Sequence, residues 1–129
     1  MKPLAIRLQP GQDLKQELIA TTQNKKLNAA FVVSCCGSLK NLKMRLADSN
    51  SIFERKEKFE IVSLQGTLCQ DGAHLHISVS DSSGKTWGGH LVDGCEIYTT
   101  AEILILELPD HKFCREDDPK TGFKELVIK

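Results

Sequence analysis

GAHLHISVSDSSGKTWGGHL, residues 72–91, reads as two strands joined by a turn. From His74 to Ser80 the residues alternate. Leu75, Ile77 and Val79 take one face of an extended chain, and His74, His76, Ser78 and Ser80 take the other. Asp81-Ser82-Ser83-Gly84-Lys85 has the form of a three-residue hairpin loop, with Gly84 in the left-handed position after a type I turn. A hairpin centred on Ser83 sets His76 opposite His90, Ser78 opposite Gly88 and Ser80 opposite Thr86. On the other face Leu75 meets Leu91, Ile77 meets Gly89 and Val79 meets Trp87. This register gives one apolar face and one face carrying three histidines; a slip of one residue would put His90 into the core.

Working outward, Leu4–Leu8 reads as a short strand that stops at Pro10-Gly11. Asp13 followed by Gln16 resembles a capping box, and Leu14, Leu18 and Ile19 recur at helical spacing, so a helix is expected over 13–26. Strands are expected at 29–36, 42–47, 59–68, 74–80, 86–92 and 97–108, with Gly66 a candidate bulge. The last of these is long enough to bend, and Pro109 ends it. The polar stretch from Cys114 to Gly122 reads as a loop, with Phe123, Leu126 and Ile128 docking the terminus. The fold class is α+β: a curved, mostly antiparallel sheet of seven or eight strands with one main helix. No linker or repeat divides the chain, so residues 1–129 are expected to form a single domain, with a core at 4–108 and a tail at 109–129.

The 129 residues carry 17 Lys+Arg and 17 Asp+Glu, a formal net charge of zero. That balance argues against duplex nucleic acid as a direct high-affinity partner, since such binders normally show a basic excess. The charge is nevertheless sorted along the chain. Residues 1–58 hold 11 Lys/Arg against 5 Asp/Glu, and residues 59–129 hold 6 against 12. Such halves can pair within a fold or between copies, and a phosphate-binding face on the basic half is the alternative. No apolar run has the length of a membrane span, and the interrupted N-terminal stretch does not read as a signal peptide. Five cysteines without regular spacing suit a reducing compartment, so the chain is expected in the cytoplasm, with the nucleus as the alternative.

Opposed strand residues start ~5 Å apart at Cβ, close enough for His74, His76 and His90 to converge on one point. Three neutral imidazoles with a fourth position open is the arrangement of catalytic zinc sites. Taken singly, each histidine would be an exposed side chain beside an acid. Gly88 and Gly89 would leave room above the site for a ligand. Among the other polar residues, Glu102 is a candidate general base and Arg45 a candidate for binding a substrate carboxylate; a surface ion pair and a surface charge are the plainer readings. Cys35 and Cys36 are adjacent, so they point to opposite faces and do not form a redox pair.

Gly37-Ser38-Leu39, Phe59-Glu60-Ile61, Leu64-x-Gly66-Thr67-Leu68, His74-Leu75-His76, Gly88-Gly89-His90-Leu91 and Thr99-Thr100-Ala101-Glu102 occur in a specific order, opened by Leu8-x-Pro10-Gly11-x-Asp13-Leu14. Together they resemble the plants-and-prokaryotes-conserved (PPC, or PCC) domain, over roughly residues 4–108. The resemblance implies a compact α+β domain that assembles as a homotrimer. It also implies, as in some stand-alone members, zinc on His74, His76 and His90. The fold is similar to that of acetolactate decarboxylase, whose remaining catalytic groups have no positional match here. Plant members carry the domain after an RGRP-type AT-hook and are nuclear; this chain has no such core. The expectation is a homotrimeric zinc-binding protein, with metalloenzyme chemistry on a small carboxylate or keto acid open to it. The alternative is a non-enzymatic regulatory module associated with DNA or protein partners.

Overall fold

The computed structural model describes residues 1–129. In chain order the elements are β1 (Lys2–Leu8), α1 (Leu14–Asn24), β2 (Ala30–Leu39), β3 (Leu42–Arg45), β4 (Ile52–Arg55), β5 (Phe59–Cys69), β6 (Gly72–Ser80), β7 (Thr86–Leu91), β8 (Ile97–Glu107), β9 (Phe113–Asp118) and β10 (Phe123–Ile128). Eight strands form one open antiparallel sheet in the order β1-β8-β2-β5-β6-β7-β3-β4, while β9 and β10 pair only with each other. The α+β class read from the sequence holds, with one helix and a sheet that does not close. No helix is long and apolar enough to cross a membrane.

Asp13 begins α1 as the sequence suggests. One carboxylate oxygen accepts the Gln16 amide at 3.0 Å, while the other accepts the Gly94 amide at 2.6 Å. A single acid therefore caps the helix and ties it to the turn between β7 and β8. The helix ends at Asn24, short of the expected residue 26, because Lys26 turns the chain with φ 55°. Leu14, Leu18 and Thr22 are its buried face.

The core is the inward face of the sheet under that helix. Phe59, Ile61, Leu64 and Leu68 come from β5, Leu75, Ile77 and Val79 from β6, and Ile97, Ala101, Ile103 and Ile105 from β8. The step from Ile61 to Leu64 breaks the two-residue period because a bulge falls between Ile61 and Ser63. A second bulge lies between Val32 and Ser34. Gly66 is not a bulge: its ladder with Leu75 is regular. Its φ of +146°, and a missing Cβ that would fall on the His74 carbonyl oxygen, explain the residue instead.

Two readings are corrected. The tail is not a loop: Phe113–Asp118 and Phe123–Ile128 form a hairpin around Asp118-Pro119-Lys120-Thr121-Gly122, in which the Asp118 carbonyl accepts the Gly122 amide at 2.8 Å. Phe113 is buried with Ala29 and Cys69, and Leu126 packs on them. Phe123 and Ile128, expected to dock, stay 67% and 61% exposed. β4 was also not anticipated. It is a four-residue edge strand beside β3, held by Phe53 against Trp87 with ring centroids 5.1 Å apart. The charge sorting does not produce two separate regions of the sheet, because strands from the basic half (β1, β2, β3, β4) are interleaved with those from the acidic half.

Candidate metal centre

The β6–β7 hairpin has the register the turn dictates. His76 lies opposite His90, Ser78 opposite Gly88 and Ser80 opposite Thr86, with Ile77 on Gly89 and Val79 on Trp87 behind them. The Asp81 carboxylate builds the turn, accepting from the Ser83 hydroxyl at 2.7 Å and the Ser83 and Lys85 amides at 2.9 and 3.0 Å. Those bonds, the Ser83 hydroxyl first, hold its carboxyl below the usual range. Leu75, Ile77 and Val79, all buried, lock β6 from the core side, so His74 and His76 leave the opposite face together.

Every pair of potential ligand atoms among His74, His76 and His90 lies within 4.8 Å. Ring centroids are 5.1 Å apart for His74–His76, 5.2 Å for His74–His90 and 5.7 Å for His76–His90. Tetrahedral coordination at Zn–N 2.0–2.1 Å requires nitrogens about 3.4 Å apart. The ligand atoms lie at most about 1.4 Å beyond that separation, and two of the three imidazoles, His74 and His76, are exposed. Burial and then the Arg45 guanidinium push His90 down to about 4. Burial, then Arg115 and His76, also lower His74. Both imidazoles are therefore neutral near pH 7, the form that ligates a metal. The donor set fits a first-row divalent ion.

Arg45 lies on β3 directly opposite His90, and both line a groove of about 640 Å³ with the other two histidines. The structure thus brings one of the two candidate polar residues to the site. Glu102 is not brought there. It sits on β8, with β2 and β5 between it and β6, beside Arg7 and Cys36. The two glycines also differ in role. Gly88 is on the histidine face, whereas a Cβ on Gly89 would approach the Arg45 carbonyl to 2.7 Å, so Gly89 serves the close approach of β3.

Sequence reasoning missed the residues that the C-terminal hairpin contributes. Arg115 of β9 donates from Nη2 to the Thr67 hydroxyl at 2.7 Å, and Thr67 is the β5 neighbour of His74. Phe123 and Glu125 of β10, with Lys15 of α1, line a second cavity of about 510 Å³ that includes His74, His90 and Arg45. The signal for the hairpin was present in the Asp-Pro-Lys-Thr-Gly turn between two alternating stretches. Nothing local could have placed it over His74.

The Plants and Prokaryotes Conserved (PCC) domain matches residues 1–109. The chain belongs to the PCC domain family. PCC relatives give the site its context. The chain is 50% identical over 128 residues to Bifunctional protein GlmU of a Synechococcus strain, a match that takes in 99% of this chain and 20% of that protein. It therefore spans about a fifth of the length of the curated relatives it matches. A solved hypothetical protein from Salmonella enterica superposes with a TM-score of 0.97 at 40% identity, covering 99% of this chain and 93% of the other. A metal-containing protein from Archaeoglobus fulgidus superposes with a TM-score of 0.86 at 25% identity, covering 98% and 94%. A Bacteroides thetaiotaomicron protein whose given name proposes DNA binding is 19% identical, with a TM-score of 0.87 over 97% and 91% of the two chains; that likeness shows the PCC fold alone.

Proposed function

We propose that this PCC-domain protein is a homotrimer that binds zinc through His74, His76 and His90 and uses it in lyase or hydrolase chemistry on a small carboxylate or keto acid. The observation that carries the reading is the convergence of three imidazole ligand atoms within 4.8 Å on one face of a hairpin. The metal-containing Archaeoglobus relative of the same fold supports it. Zinc held by three neutral imidazoles offers an open fourth position that acidifies a bound water or polarises a carbonyl. His74, His76 and His90 would hold the ion, Gly88 leaves space beside it, and Arg45 sits one strand away from His90 to orient an anionic group. Val33 and Val62, each of which stands out at a bulge, and Tyr98 on β8 supply exposed apolar surface for self-association. The five cysteines are all unpaired, in keeping with a cytoplasmic chain.

DNA binding is the second reading, favoured by the name of the Bacteroides relative. The zero net charge and the interleaving of the basic and acidic halves oppose it. Metal analysis of protein purified without a His-tag separates the two. The expected result is about one zinc per chain, lost in a His76→Ala/His90→Ala variant whose trimer persists by light scattering. No stoichiometric metal after dialysis against zinc, together with salt-steep binding to duplex DNA, would replace the metal reading with the second.

A further inference from the structure

We propose that Arg45 and Arg115 form an anion-binding subsite across the histidines, and that its ligand is the carboxylate of a small 2-oxo or 2-hydroxy acid. The inference deepens the metal reading and rests on it for the ligand's second oxygen, which would take the open metal position.

The sheet order places the two arginines on either side of the histidines. Arg115 is anchored on Thr67 of β5, Arg45 projects from β3, and β6 and β7, carrying His74 and His90, run between them. Three interstrand steps, about 14 Å across the strands, separate Thr67 from Arg45. The Arg115 guanidinium already sits at the β5 end of that span, on the Thr67 hydroxyl, and Arg45 enters from the β3 end beside His90. Both line the same cavity of about 510 Å³ with His74 and His90. The cationic residues Lys15, Arg45, Arg115 and Lys124 outnumber Asp71 and Glu125 in its wall. Asp71 is already engaged, accepting the Arg115 backbone amide at 3.0 Å.

Two planar guanidinium forks match a carboxylate. The same cations would also attract a phosphate group, so inorganic phosphate is the discriminating comparator in the test. Phe123, 67% exposed on the rim of both cavities, offers a ring to the organic part of the ligand. Arg115, Phe123 and Glu125 all lie beyond residues 1–109, the part matched by the family. Arg45 lies within that part, so the subsite joins a residue of the family domain to residues of the C-terminal hairpin.

The test is calorimetric titration of the full chain, zinc-loaded and metal-free, with pyruvate and lactate, using acetate and inorganic phosphate as comparators. Arg45→Gln and Arg115→Gln are each expected to weaken pyruvate binding about 10-fold or more, the loss of a charged hydrogen bond, with zinc content and circular dichroism unchanged. Arg45→Lys and Arg115→Lys should restore only part of the affinity, since the charge returns without the fork. If zinc binds but pyruvate affinity is the same in wild type and in both Gln variants, the subsite is refuted while the metal centre stands. If zinc does not bind but the Gln variants still weaken carboxylate binding, the metal reading fails and the arginine subsite stands. No saturable binding of pyruvate or lactate, or tighter binding of phosphate than of either, overturns the assignment.

Discussion

Gly66 and Gly72 both hold left-handed backbone, with φ of +146° and +130°, yet only Gly66 is crowded. A Cβ at Gly66 would fall on the His74 carbonyl oxygen and press within 2.9 Å of the Leu75 Cα, whereas a Cβ at Gly72 meets nothing within 4 Å. Alanine at Gly72 therefore incurs backbone strain alone, about 1–3 kcal/mol. Alanine at Gly66 adds overpacking against a β-ladder that cannot move without carrying His74 with it, a further 1–3 kcal/mol, for about 2–6 kcal/mol in all. Gly37 supplies the converse control. Its backbone is ordinary, but its Cβ would fall on the Thr100 carbonyl oxygen and sit 2.7 Å from the Ala101 Cα. Denaturant unfolding of Gly37→Ala, Gly66→Ala and Gly72→Ala should place Gly66→Ala as the most destabilised of the three. On a domain whose total stability is about 5–15 kcal/mol, the difference is readily measured. The same variant should weaken zinc binding more than the other two, because the displaced segment carries His74. Equal losses for Gly66→Ala and Gly72→Ala would refute the claim that close strand approach adds to the cost of φ at Gly66.

Asp13→Ala removes the cap on Gln16 and the bond to Gly94 together, for an expected loss of about 2 kcal/mol in thermal or urea unfolding. Asp13→Asn should retain about half. The metal-free protein should lose stability as pH falls. His90 is held near 4 against its ordinary 6.5, so the unfolded chain binds the proton first; the contribution is complete above about pH 6.5 and drains away down to about pH 4. His90→Gln should flatten that part of the urea-midpoint profile, and an unchanged slope would contradict the burial assigned to His90. Alkylation at pH 8, followed by mass spectrometry, should mark Cys36 well before Cys35 or Cys95. Cys36 is exposed, whereas burial pushes the Cys35 thiol up to about 12 and the Cys95 thiol up to about 11. Labelling of Cys35 as fast as Cys36 would contradict that burial.

The centre of the fold was legible because two independent signals agreed at β6 and β7. The Asp81–Lys85 turn set the pairing, and the alternation of Leu75, Ile77 and Val79 against His74 and His76 set which face was buried. A register fixed twice leaves no freedom, so the opposition of His76 and His90 followed. The edge was less legible. Ile52 and Arg55 in β4 are exposed, so no buried face writes a period into that stretch; only Phe53 reports its packing. The C-terminal hairpin was missed for a different reason. Its strands bury little beyond Phe113 and Leu126, and the run Arg115–Asp118 reads as solvated loop until the Asp118–Gly122 turn is given weight. With the hairpin went Arg115 and Glu125, residues that reach the site through packing between elements about fifty positions apart. Glu102 is misplaced for another reason: the sequence offers a carboxylate on a strand without saying which strands lie between it and the histidines.

Cobalt(II) in place of zinc tests the three-histidine centre most directly, because its visible spectrum reports both coordination number and the presence of an exchangeable position. The expected result is saturation at about one cobalt per chain with the intense bands of a four-coordinate ion, shifting when azide is added and absent in a His74→Ala/His76→Ala/His90→Ala variant that remains folded. Weak six-coordinate bands unaffected by those substitutions would show that the three imidazoles, although close, do not form a metal centre.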